Sequence, residues 1–141
     1  WSSDVCSSDL AGAGAVRVLN RTAARAEELV FAFSGETVTA HALADADRVF
    51  ADCVLVVNAA AGGPLPPVDA LPDAAVVMDM TYRPLETGLL KAARARGLTG
   101  VDGLSMLINQ AIPSFEAFYG VAPPDGCDVR ALAIQAAGLA Q

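Results

Sequence analysis

AGAGAVRVLNRT (residues 11–22) sets two glycines in front of a valine-rich run that ends in Asn-Arg-Thr. A glycine turn that seats a pyrophosphate follows the first strand of a nucleotide-binding fold and opens a helix. Here Gly12 and Gly14 come before the strand-like AVRVLN (15–20), and no helix fits between Gly14 and Asn20. The two glycines are therefore read as the turn leaving an earlier helix, with the true phosphate loop expected upstream of residue 11. The far end of the strand is more informative. An acidic residue at the end of the second strand reads a ribose 2′-hydroxyl, whereas an arginine there accommodates a 2′-phosphate. Arg21 stands at that place, Arg25 comes one turn later, and Asn20 and Thr22 add short hydrogen-bonding groups. The N–H groups opening the next helix would also favour an anion. Taken alone, Arg21 and Arg25 read equally well as a solvated face pairing with Glu28. Their strand-end setting favours the phosphate pocket.

Outward from this stretch, the pattern alternates. TAARAEELVFAF (22–33) reads as a helix with Thr22 as its N-cap, ETVTA (36–40) as a weaker strand, and LADADRVFAD (43–52) as a short helix. CVLVVNA (53–59) is a continuous apolar strand running into the loop AAGGPLPP, and AAVVMDM (74–80) is another. LETGLLKAARARG (85–97) is a helix with Leu85, Leu89, Leu90 and Ala93 on its apolar face, closed by Gly97. LTGVDG (98–103) supplies a last strand. LSMLINQAIPSFEAFYG (104–120) is a long helix that Pro113 is expected to kink or split, and DVRALAIQAAGLA (128–140) is a final one.

Strands near 15–19, 37–40, 53–58, 75–79 and 99–102, without alternation and separated by helices, predict a doubly wound α/β domain with a parallel sheet covered on both faces. The domain is expected to be incomplete, lacking the first strand and the glycine-rich loop. That strand belongs in the middle of the sheet, so a gap is expected between the strands at 15–19 and 53–58. Ligands of such folds sit beyond the carboxyl ends of the strands. Four clusters should then line one crevice: Asn20-Arg21-Thr22, Asn58-Ala59-Ala60, Asp79 to Tyr82, and Asp102-Gly103.

Composition bounds the function. With 141 residues, 54% of them hydrophobic, the chain suits one domain with a real core. A net charge of −7 argues against a nucleic-acid surface, and the apolar runs are too short for a membrane span. Cys6, Cys53 and Cys127 are isolated, as in proteins of a reducing cytoplasm. His41 is the sole histidine, which leaves little room for Ser-His or multi-histidine metal chemistry. WSSDVCSSDL (1–10) differs in texture from the rest, with four serines and the only tryptophan. It back-translates to a common sequencing-adapter sequence and is expected to be a read-end artefact, leaving 11–141 as the native part. Asp4 and Asp9 account for two of the net negative charges.

NRTAARAEEL, VVNAAAGG, VVMDMTYRPLETGLL and DGLSMLINQAIPSFEAFYG together resemble the C-terminal cofactor domain of shikimate dehydrogenases over residues 11 to about 122. The resemblance implies an NADP-dependent oxidoreductase that interconverts 3-dehydroshikimate and shikimate, a step toward aromatic amino acids. By its motifs Asn20, Arg21, Thr22 and Arg25 would hold the adenosine 2′-phosphate. Met80 and Gly103 would lie near the nicotinamide, and Tyr82 and Gln110 would reach the substrate. Tyr82 also reads as a core tyrosine, and Gln110 as a buried, backbone-bonded amide. Asp79 and Asp102 read as residues that cap or position loops rather than as bases. Ala60, Ala61, Gly88 and Asn109 depart from the family pattern. The catalytic Lys and Asp of the family belong to an N-terminal domain, so no catalytic residue is assigned here and Lys91 reads as a surface residue. The fragment alone is expected to be inactive, and the resemblance leaves a homodimer open for the full-length protein. The alternatives are a quinate-type dehydrogenase, a glutamyl-tRNA reductase-like protein, or a non-catalytic nucleotide-binding module.

Overall fold

The computed structural model describes residues 12–31, 37–60, 62, 65–124 and 126–139. The adapter reading of 1–10, with Cys6, and the departure at Ala61 lie outside the described residues. The chain divides into two compact units, residues up to 53 with 66–71, and 54–65 with 72 onward.

The first unit is a parallel pair of strands covered by helices. β1 (Val16–Asn20) and β2 (Val38–Ala42) run in register from Val16 opposite Val38 to Asn20 opposite Ala42. α1 (Ala23–Phe31) packs on both strands and buries Ala26 completely. A short 3-10 turn, Leu43–Asp45, leads into α2 (Ala46–Phe50), which buries Ala46, Val49 and Phe50. The one cation inside the apolar β1, Arg17, is taken up by α2 and the turn at its end. Its guanidinium donates to both carboxylate oxygens of Asp52 and, at 2.8 Å, to the Val49 carbonyl. This satisfied arginine explains how a strand read as buried tolerates a charge.

The second unit holds a three-stranded parallel sheet in the order β3 (Leu55–Asn58), β4 (Val76–Asp79), β5 (Thr99–Asp102). α3 (Gly88–Ala95) packs on β4 and β5, and Leu89, Leu90 and Ala93 are fully buried with Val77. Gly97, at φ +76°, ends α3 as its sequence suggests. Its N–H donates to the Arg94 carbonyl, and the Leu98 N–H to that of Ala93, which is the double bond of a Schellman cap. α4 (Gly103–Tyr119) and α5 (Val129–Ala137) complete the unit.

All five expected strands are present, parallel within each sheet, and the architecture is Rossmann-like. They form two sheets, and among the described residues no ladder joins β1 to β3, which is the gap expected between the strands at 15–19 and 53–58. Two expectations need correction. β3 is not buried on both faces: Leu55 and Val57 are 53% and 43% exposed while Val56 between them is buried, as at an uncovered face. Pro113 does not split its helix, which continues through it from Gly103 to Tyr119. Residues around Pro113 are exposed, so water can take the carbonyl that the missing N–H leaves free. Among the described residues no helix is long and apolar enough to cross a membrane.

Candidate functional site

Register puts the chemistry at one end of the second unit. Asn58, Asp79 and Asp102 pair across β3, β4 and β5 as a single row at the carboxyl ends of the strands. The middle member is the hub. Asp79 is 2% exposed and accepts three hydrogen bonds. Its Oδ1 takes the Asn58 side-chain amide at 3.2 Å and the Thr81 N–H at 3.0 Å, and its Oδ2 takes the Thr87 hydroxyl at 2.7 Å. Burial pushes this carboxyl up, but the donors from Thr87, Thr81 and Asn58 outweigh burial and hold it below the usual carboxylate range. Thr87 in turn caps α3 by accepting the Leu90 N–H at 3.3 Å. One buried carboxylate therefore fixes the end of β3, the loop after β4 and the start of α3. A cleft of about 310 Å³ opens over these groups, lined by Asn58, Asp79, Thr81, Thr87, Gly88 and the side of the Arg83-Pro84 loop.

Asp102 plays a parallel part on β5. Its Oδ1 caps α4 by accepting the Ser105 N–H at 2.9 Å. Burial raises this carboxyl as well, and the guanidinium of Arg130 with the Ser105 N–H brings it below the usual range. Both aspartates thus position loops, as their sequence setting suggests. Gly103 follows directly and is buried, and a Cβ there would stand 2.2 Å from the Met80 carbonyl oxygen. Only glycine lets the first turn of α4 seat on the backbone after β4.

Of the nicotinamide-end and substrate candidates, Met80 is half-buried beside Gly103. Tyr82 is 41% exposed on the loop after β4, which rules out its reading as a core tyrosine. Gln110 is exposed on α4, so it is not a buried amide. None of these four lines the cleft itself. Lys91 is exposed on α3, and His41 on β2 shares a hydrogen bond with Thr39 at 2.9 Å.

The 2′-phosphate candidates belong to the first unit. Asn20 ends β1, and its Oδ1 accepts the Thr22 N–H at 3.0 Å, which ties the strand end to the residue before α1. Arg21, Thr22 and Arg25 are exposed. Among the described residues, neither Arg21 nor Arg25 has an ion-pair or hydrogen-bonded side-chain partner, Glu28 included. Two guanidinium groups without a partner among the described residues, one just past the end of β1 and one in the first turn of α1, fit a phosphate ester. Of the four strand-end clusters, three meet in the second unit, and the Asn20 cluster stands in the first. Gly12, at φ +78°, and Gly14 precede β1 directly with no helix between, as expected of glycines outside a phosphate loop. Sequence reading missed Thr87 as a partner of Asp79 and Arg130 as a partner of Asp102.

No family model matches the sequence. The chain is 49% identical over 125 residues to the shikimate dehydrogenase (NADP(+)) of Mesorhizobium japonicum, covering 84% of this chain and 44% of that protein. Among solved structures it is similar to quinate dehydrogenase from Corynebacterium glutamicum in complex with NAD, at a TM-score of 0.69 and 32% identity. That match covers 82% of this chain and 45% of the other. It is also similar to shikimate 5-dehydrogenase from Thermus thermophilus in complex with NADP(H) and shikimate, at 0.65 and 32%, covering 82% and 44%. The chain spans under half the length of each of these proteins.

Proposed function

The chain belongs to the shikimate dehydrogenase family over the stretch that it shares with those enzymes, and from that premise we propose that it forms the cofactor-binding part of an NADP-dependent enzyme interconverting 3-dehydroshikimate and shikimate. The observation that carries the cofactor is the pair of guanidinium groups that have no partner among the described residues, Arg21 just after β1 and Arg25 in the first turn of α1. They bind the 2′-phosphate, with Asn20 and Thr22 beside them. Met80 and Gly103 support the nicotinamide end, and Tyr82 and Gln110 orient the substrate. The bound cofactor supplies the site for hydride transfer. Hydride transfer to a ketone also needs a proton donor for the developing alkoxide. His41 and Lys91 are the sole histidine and lysine of the chain, and neither belongs to the Asn58–Asp79–Asp102 row. We assign proton transfer to a Lys and Asp in a preceding domain, which accords with the greater length of the relatives.

The test joins residues 11–141 of this chain to the preceding part of the Mesorhizobium japonicum relative, its N-terminal domain together with the first strand and glycine-rich loop of its cofactor domain. The joined protein should reduce NADP with shikimate, the chain alone should not, and Lys91→Ala should leave the joined protein unchanged. Turnover by the chain alone that disappears in Lys91→Ala would overturn the assignment. A second reading, a quinate-type enzyme using NAD, is favoured by the likeness to the Corynebacterium structure. Arg21 separates the two. In the joined protein Arg21→Asp should weaken NADP by about tenfold to a hundredfold, the worth of a charge-assisted contact, while NAD changes little. Titration of both cofactors against both proteins measures this. Equal losses would place Arg21 in structure rather than in recognition.

A further inference from the structure

α5 buries no residue, so apolar packing does little to hold it in place. It is instead tied at both ends by arginines. In its first turn, Arg130 donates from Nη2 to Asp102 Oδ2 at 2.7 Å, and from Nη1 to Asp102 Oδ1 at 3.2 Å and to Ser105 Oγ at 3.0 Å. At its last residue, the Ala137 carbonyl accepts a hydrogen bond from Arg83, on the loop after β4. The two anchor points are the loop leaving β4 and the junction of β5 with α4, which meet where Gly103 seats against Met80. The Asp102 carboxylate is 13% exposed and already caps α4, so a forked partner on it steadies the helix start as well.

We propose that α5 is a brace, and that Arg130 is a positioning residue that holds the Asp102-Gly103 turn in the geometry hydride transfer needs. The role in transfer rests on the function proposed above. The brace itself does not. Arg130 touches neither cofactor nor substrate in this reading and acts through Asp102.

Peptide-resolved hydrogen exchange on the full chain tests the brace. In Arg130→Ala the amides of 103–107 should exchange about tenfold faster or more, the loss expected for a charge-assisted fork, while those of α3 stay unchanged. Arg130→Lys, which keeps the charge without the fork, should fall between. In the joined protein, Arg130→Ala should lower kcat about tenfold with the NADP KM within about twofold, and Arg130→Lys should recover part of it. Faster exchange confined to 129–137, or spread evenly through α3 and β4, would overturn the brace. A raised NADP KM at unchanged kcat would overturn the positioning role. If the joined protein with Arg130 intact has no dehydrogenase activity, the proposed function fails, and the exchange result still decides the brace.

Discussion

Gly103→Ala is expected to lower the midpoint of thermal unfolding by about 10 °C, from the removal of one close approach. The added Cβ would stand 2.2 Å from the Met80 carbonyl oxygen, 2.6 Å from its carbon and 2.9 Å from the Thr81 carbonyl carbon. All three are backbone atoms, so no side chain can swing aside. Either α4 lifts off the β4 loop or the loop moves, and the cost falls at the upper end of overpacking, roughly 3 kcal/mol. Gly88→Ala is the control. Its Cβ would meet only the Leu65 side chain, Cδ1 at 2.8 Å and Cγ at 4.0 Å, an exposed side chain that can rotate away. Gly88 is the first residue of α3 after the Thr87 cap, a position that tolerates a side chain without loss of a helical hydrogen bond. Gly88→Ala should therefore melt within a few degrees of the parent. Scanning calorimetry of the two variants is sufficient. Equal small shifts in both would mean that α4 does not seat on Met80 in solution. In the joined protein the loss of stability should be accompanied by loss of turnover, since the same turn is proposed to flank the nicotinamide.

β1, β3 and β4 were legible because each is a short apolar run bounded by turn residues, and Gly97 was legible because a helix end of this kind needs a left-handed residue. The polar row was legible for a related reason. Once the strands are read as parallel, whatever polar residue ends each one must stand beside its neighbour, and Asn58, Asp79 and Asp102 do. The partners of that row were not. Arg130 lies 28 positions from Asp102, on a helix whose sequence gives no sign of where it docks. Thr87 lies eight positions from Asp79, in the family motif that also contains Tyr82, where spacing alone does not say which oxygen a hydroxyl will meet. Exposure misled in the same way. CVLVVNA is apolar up to Asn58, yet which face of β3 is covered depends on the elements packed against it, and the sequence of the strand does not contain them. Pro113 obeyed a local rule that the solvent around it relaxes.

Asp79→Ala is expected to cost about 3 kcal/mol or more at pH 7, because it strands three donors at a buried point. Asn58 Nδ2, the Thr81 N–H and the Thr87 hydroxyl all converge on two carboxylate oxygens. Losing them loosens the end of β3, the β4 loop and the α3 cap together. Asp79→Asn is the sharper probe, since it keeps the shape and leaves one acceptor oxygen for three donors. One donor must then face an NH₂, at roughly 1–3 kcal/mol. The pH dependence gives a second, independent signature. In the folded chain this carboxyl lies below its ordinary value, where burial is outweighed by the hydroxyl and N–H donors. A depressed folded pKa contributes stability that is fully present above the unfolded value of about 4 and is lost as pH falls through the folded one. The parent should therefore lose its advantage over Asp79→Asn as pH drops below about 4, with the two urea midpoints converging. Asp102 is shifted in the same direction, so the variant keeps part of the acid sensitivity and its curve does not become flat. Urea unfolding at pH 7, 5 and 3 measures the gap. A gap that stays constant down to pH 3 would mean that Asp79 is not held as a carboxylate by this network, and that the cleft is organised by something other than its charge.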